Sequence, residues 1–304
     1  MTGFGDVIVG IDGSQVGRDA LNFAADEASR RGAKLVAVHA ADAPVEGEPG
    51  VHRMEVHEFA NILRTEAVAI VAAVHPGLDC ETVVREGDAA RLLIEMSRTA
   101  DLVVVGTHRM GRLRGFVLGS VSQRVAAHAD CPVVTISGPT GTADGPVVVG
   151  ASASSGGLAA LRFACIEARL RGVPVKAIRA VVVDDWLTPG FGDPIAKSFE
   201  ALQAAARAEM QVVLNVAAEE FPDAHIEASM PTAGPFVALQ DAATTASMLV
   251  LGSRPAEESP LPHLGAVAAW LLHQAQCPLA VVNFVEQKQE TVPLVADEPA
   301  AVPG

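Results

Sequence analysis

VIVGIDGSQVGRDALNFAADEASRRGAKLVAVHA, residues 7–40, aligns without a gap with VVVGASASSGGLAALRFACIEARLRGVPVKAIRA, residues 147–180, at an offset of 140 positions. Fifteen of the 34 positions are identical, among them Gly10, Ser14, Gly17, Leu21, Phe23, Glu27, Arg31 and Gly32. The chain is therefore a tandem duplication. Within the first copy, Asp6–Ile11 is an apolar run that closes on a Gly-containing turn. Leu21, Ala24, Ala25 and Ala28 follow at helical spacing up to Arg31–Gly32, where glycine is the expected stop. A strand followed by an amphipathic helix is the first half of a βαβ unit.

Beyond this stretch the same alternation continues. Lys34–Ala40 reads as a strand, Pro44–Gly50 as a loop, His52–Val74 as a long helix and Cys80–Arg85 as a third strand. Asp88 then caps a short helix over Ala89–Ser97, Leu102–Gly106 is a fourth strand, Gly119–His128 a helix and Pro132–Ser137 the last strand. The second copy repeats the pattern through Asn283; from Gly106 onward the offset is 146, pairing Gly119 with Gly265 and Cys131–Pro132 with Cys277–Pro278. Alternating β and α with short connections predicts parallel strands, right-handed crossovers and helices on both faces. The expected organisation is a first α/β domain over 1–140, a second over 145–285 and a disordered acidic, Pro-rich tail over 286–304, with Gly138–Pro146 as linker.

The total of 304 residues fits this division at a prior of roughly 150 residues per domain. Half the residues are hydrophobic and mean hydropathy is +0.31, a globular composition. Net charge is −14, which argues against a general nucleic-acid binder because counterion release needs clustered cations. The apolar runs are strand-length, far below the ~20 residues that cross a bilayer, so no membrane partner is expected. The N-terminus lacks the charged and apolar regions of a signal peptide, which predicts a cytoplasmic location. Cys80, Cys131, Cys165 and Cys277 have no CxxC spacing, and buried reduced thiols are expected of them.

In an open doubly wound sheet, ligands sit beyond the carboxyl ends of the strands where strand order reverses, so residues just after strands are the informative ones. Gly10-Ile11-Asp12-Gly13-Ser14 follows the first strand, and its carboxylate suits either a helix-capping turn or the hydroxyls of a ribose. GTHRMGRLRGFVLGSVS, residues 106–122, follows the fourth strand. Its glycines, its Gly-Ser pair before a helix and the guanidinium groups of Arg109, Arg112 and Arg114 suit an anionic triphosphate; the bland alternative is a basic surface loop.

These segments resemble the universal stress protein family in its tandem form. The resemblance spans about residues 5–284 and rests on V-I-V-G-I-D-G-S at 7–14, L-V-V-V-G-T-H at 102–108, L-G-S-V-S at 118–122 and A-D-C-P-V-V at 129–134. It implies Rossmann-like domains of strand order 3-2-1-4-5 that pair through their last strands, as a homodimer or as a pseudo-dimer within one chain. It also implies ATP as ligand, with Mg2+, and a stress-response regulatory role. ATP-binding members carry G-x-x-G, nine residues, then G-S or G-T; here Gly106-Thr107-His108-Arg109 precedes nine residues and Gly119-Ser120, so Arg109 stands at the second glycine. By this resemblance Asp12 meets ribose, backbone near Ala40 meets the adenine edge, and Gly106, Gly119 and Ser120 hold phosphates. Gly10, Thr107, His108, Arg109, Gly111, Arg112 and Val121 complete the expected site. In the second copy Asp12 becomes Ser152, and the phosphate motif becomes Gly252-Ser253-Arg254-Pro255 and Gly265-Ala266, with Glu257-Glu258 between them. That site is expected to be weak or empty.

Other chemistries fit worse. None of Lys34, Lys176, Lys197 and Lys288 follows a glycine, so there is no P-loop. A phospho-receiver needs an acidic pair, an Asp and a Lys where this chain has Asp12 alone, the Glu86-Gly87-Asp88 turn and Ser137. His57-Glu58 starts a zinc-protease motif whose last histidine is Asn61. Only His108 stands beside the phosphate loop as a general base, so a binding protein rather than an enzyme is expected. A tandem scaffold acting without nucleotide through dimerisation or partner proteins is the alternative reading. Ser14/Ser154, Phe23/Phe163 and Glu27/Glu167 recur in both copies and read as capping and packing.

Overall fold

The computed structural model describes residues 4–41, 50–107, 120–138, 144–181, 193–253 and 264–283. The expected linker falls partly, and the expected tail wholly, outside them. In the first repeat the elements are β1 (Asp6–Gly10), α1 (Gln15–Arg31), β2 (Leu35–Ala41), α2 (Gly50–Val74), β3 (Cys80–Glu86), α3 (Ala89–Met96), β4 (Ala100–Gly106), α4 (Ser120–His128) and β5 (Val133–Ile136). The second contributes β6 (Val147–Gly150), α5 (Ser155–Arg171), β7 (Val175–Ile178), α6 (Asp193–Glu220), β8 (Ile226–Ser229), α7 (Pro235–Ala243), β9 (Met248–Gly252), α8 (Ala266–Gln274) and β10 (Leu279–Val282).

Local chemistry sets the helix ends as expected. Ser14 Oγ accepts from Gly17 N at 3.0 Å to cap α1, and Ser154 Oγ accepts from Gly157 N at 3.2 Å to cap α5. Gly32 and Gly172 close the same helices at φ 61° and 69°, a left-handed conformation that favours glycine. Asp88 caps α3 through Arg91 N at 2.7 Å.

Both repeats have the order 3-2-1-4-5, and they share one ten-stranded sheet, β3-β2-β1-β4-β5-β10-β9-β6-β7-β8. The join is antiparallel, Thr135 opposite Leu279 and Val133 opposite Val281, while all other pairings are parallel. Pairing of last strands thus occurs within the chain. Side chains alternate across the sheet: Val7, Val9, Val147 and Val149 enter one core with α1, α2, α5 and α6, whereas Ile8 and Val148 enter the other with α3, α4, α7 and α8. Each core runs through both repeats. At the seam, Asn283 Nδ2 donates to the carbonyls of Ala126 and Ala129 at 3.1 and 2.8 Å, and Ser137 Oγ donates to the Ala275 carbonyl at 3.0 Å.

Candidate functional site

Strand order reverses between β1 and its neighbours β2 and β4, and a cavity of about 250 Å³ opens there beyond the strand ends. Gly10, Ile11, Asp12 and Ser14 form one wall, with Val16 and Gly17 of the first turn of α1. The end of β2 contributes Val38, His39 and Ala40, and the end of β4 contributes Val105, Gly106 and Thr107. Ala89 and Leu93 of α3 and Ser120, Val121 and Ser122 at the start of α4 complete it. Seven of the twelve expected site residues, Gly10, Asp12, Ala40, Gly106, Thr107, Ser120 and Val121, therefore meet in one place. His108, Arg109, Gly111, Arg112 and Gly119 lie outside the described residues.

Several contacts shape this cavity. Asp12 Oδ1 accepts from Ser14 N at 2.9 Å, so the carboxylate organises the turn and also lines the opening. Its two expected uses are compatible, because a carboxylate has two oxygens and about four acceptor sites. Ile11 N donates to the Val38 carbonyl at 2.9 Å, and the Ile11 carbonyl meets His39 Nδ1 at 3.0 Å. Since a carbonyl only accepts, His39 Nδ1 carries a proton, and the ring is held edge-on to Phe59 at 5.7 Å. These bonds lock the ends of β1 and β2 together. Gly106 has no room for a side chain: a Cβ there would lie 2.9 Å from Val16 Cγ1 and 3.1 Å from the Val16 carbonyl oxygen. Ser122 Oγ donates to Thr107 Oγ1 at 3.1 Å in the interior, tying the end of β4 to the start of α4. Sequence reading did not single out Ser122, Val16, Leu93 or Val105 for the site. Val16 and Val105 stand close to the expected motifs and Ser122 ends one of them, whereas Leu93 of α3 carried no such signal.

The corresponding cavity of the second repeat, about 480 Å³, differs in kind. Ser152 takes over the turn role of Asp12, donating to Ser154 Oγ at 3.0 Å and accepting from Ser154 N at 3.3 Å. Among the described residues no carboxylate lines it. Ala266 replaces Ser120 at the start of α8, and the Gly265 cap makes no side-chain hydrogen bond. The start of α5 also comes closer to the sheet, because a Cβ on Gly252 would lie 2.2 Å from the Gly156 carbonyl oxygen. Glycine in place of Val16 permits that approach.

Among the described residues no cluster of three His, Cys, Asp or Glu side chains is placed to hold a metal ion, and no helix is long and apolar enough to cross a membrane. All four cysteines are unpaired; burial pushes the thiols of Cys131 and Cys277 up to about 12 and that of Cys165 up to about 11.

The model of the universal stress protein family matches residues 3–137 and, again, residues 145–283. The chain belongs to the universal stress protein family. A universal stress protein of Mycolicibacterium smegmatis is 30% identical over 289 residues, covering 91% of this chain and 96% of the relative. A universal stress protein of Mycobacterium tuberculosis is 43% identical over 129 residues, 42% of this chain and 44% of that protein. The crystal structure of a universal stress protein from Archaeoglobus fulgidus DSM 4304 superposes with a TM-score of 0.68 at 17% identity, covering 91% of this chain and 98% of that one. That likeness speaks to the fold alone. The tandem universal-stress architecture accounts for the duplication, for the strand order of each half and for where the cavities open.

Proposed function

We propose that the first repeat binds an adenine nucleotide, ATP with Mg2+, and that nucleotide occupancy rather than turnover is what the protein contributes to a stress response. The observation that carries the reading is the meeting of Asp12, Ala40, Gly106 and Ser120 around one cavity at the strand-order reversal. A purine fits between the apolar walls of Val38, Leu93, Val105 and Val121, with backbone near Ala40 available to its polar edge. Asp12 offers acceptors for the ribose hydroxyls. Gly106 leaves the backbone open to close approach, and the amide groups and Ser120 hydroxyl at the start of α4 favour anionic oxygens. Asp12 is the sole carboxylate lining this cavity among the described residues, and its assignment to ribose leaves it no part in activating water.

The second repeat is read as the structural partner. Among the described residues its cavity lacks a carboxylate and a hydroxyl at the start of α8, whereas its sheet edge and both cores complete those of the first repeat. The test is to denature the purified protein, identify any nucleotide released, and titrate the emptied protein calorimetrically with Mg-ATP. One nucleotide per chain is expected. Two would refute the silent second cavity. None, with no binding heat up to millimolar ATP, would refute nucleotide binding and leave the scaffold reading.

A further inference from the structure

Helices α1 and α5, equivalent in the two repeats, meet across the repeat boundary, and their contact holds four buried charges. Glu27 and Glu167 have no exposed side-chain surface, and the side chains of Arg31 and Arg171 are 3% and 6% exposed. Each arginine bridges both carboxylates: Arg31 donates to Glu27 at 2.7 Å and to Glu167, and Arg171 donates to Glu167 and to Glu27. The ring closes through both repeats, each arginine donating to the carboxylate of its own helix and to that of the other.

Its symmetry is broken at one position. Arg30 Nη1 gives Glu27 a further donor at 3.0 Å, whereas the residue at the same place in the second repeat is Leu170. Glu167 is thus the less supported of two neighbouring buried carboxylates. The charged groups facing it are Glu27 and Arg31 from α1 and Arg171 from its own helix. Nearby charges are engaged elsewhere, Asp26 with His75 of α2 and Glu220 of α6 with Arg162. The strands beneath, β5 and β10, put Val134, Ile136, Ala280 and Val282 into this core. Taking a carboxylate out of water disfavours its charged form, and a like charge alongside adds to that cost.

We propose that this cluster is a proton-operated clasp between the repeats, in which Glu167 takes up one proton from solvent in the docked chain and gives it back to solvent when the chain opens or the medium turns alkaline. Burial first, and Glu27 second, raise the Glu167 carboxyl to about 7. A folded-state value raised above the unfolded one stabilises the docked chain fully below the unfolded value of about 4.3, and the stabilisation is lost as pH rises to the folded value. Acidification toward neutrality therefore tightens the repeats against each other, and alkalinisation relaxes them.

The test is urea unfolding of the full chain from pH 5 to 8.5, comparing wild type with Glu167→Gln and Leu170→Arg. Glutamine mimics the protonated acid, and groups that titrate in both proteins cancel in the comparison. The ratio of wild-type to Glu167→Gln unfolding constants should rise about tenfold per pH unit up to about pH 7 and then level off. Leu170→Arg supplies the missing donor and should move that levelling-off acidward by about one unit or more. Should Glu167→Gln not fold, the infrared band of a protonated carboxyl in wild type, present at pH 6 and gone at pH 8.5, gives the same answer. A flat ratio, an unmoved Leu170→Arg profile, or no such band at pH 6 would overturn the proposal.

Discussion

Replacing Asp12 with asparagine separates the two things this side chain does. Its Oδ1 accepts from Ser14 N at 2.9 Å, a bond that an amide oxygen also accepts, so Asp12→Asn keeps the turn that starts α1. What it loses is the negative charge facing the cavity. Hydrogen bonds to a charged group are worth about 1.5–3 kcal/mol and neutral ones about 0.5–1.5. The expected loss for ribose contacts is therefore about 1–2 kcal/mol, roughly 5- to 30-fold in affinity. Asp12→Ala removes the turn bond as well, and should add a stability cost of about 0.5–2 kcal/mol, the range for losing a capping acceptor. Calorimetric titration with Mg-ATP, run beside urea unfolding without ligand, reads both quantities. The reasoning is refuted if Asp12→Asn binds ATP within twofold of wild type, or if its affinity falls only in step with its stability.

Other predictions concern the frame around the site. Gly252→Ala should destabilise the chain more than Gly106→Ala in urea unfolding, because the added Cβ meets the Gly156 carbonyl oxygen at 2.2 Å in one case and the movable Val16 side chain at 2.9 Å in the other. The milder change is expected to cost about 1–3 kcal/mol, the range for overpacking. Arg31→Met removes one of the two arginines that bridge both buried carboxylates and should cost about 3–5 kcal/mol, whereas apolar replacement of all four cluster residues should cost far less. In thiol titration with a disulfide reagent at pH 8, Cys80 should react first, and the buried Cys131, Cys165 and Cys277 only as the chain unfolds.

Much of the fold was legible because the relevant interactions are local. Ser14, Gly32, Ser154 and Gly172 cap their helices through bonds spanning three or four residues, and the alternation of Val7, Ile8 and Val9 states which core each side chain enters. The candidate site was legible for a related reason: in this architecture strand ends mark the site, so Asp12, Gly106 and Ser120, singled out by position and by the family resemblance, line one cavity. The Thr107–Ser122 bond and the wall supplied by Leu93 were not legible, because each needs two elements far apart in sequence to dock first. Glu27 and Glu167 show the limit most clearly. Their recurrence was visible, but packing was the expected reason, and no periodicity indicates that two helices 140 residues apart place their charges in one buried ring.

The sequence by itself determined the duplication, the α/β alternation, the caps and the loss of carboxylate and hydroxyl in the second repeat, since these depend on residue type and short spacing. Only the tertiary structure decided that two five-stranded halves become one ten-stranded sheet through β5 and β10. It also decided that α5 closes down on its sheet where α1 does not, and that four charges share one burial across the boundary. The physical reason is that edge pairing, backbone approach and desolvation are properties of surfaces brought together. A single helix or strand carries them only as half of a contact.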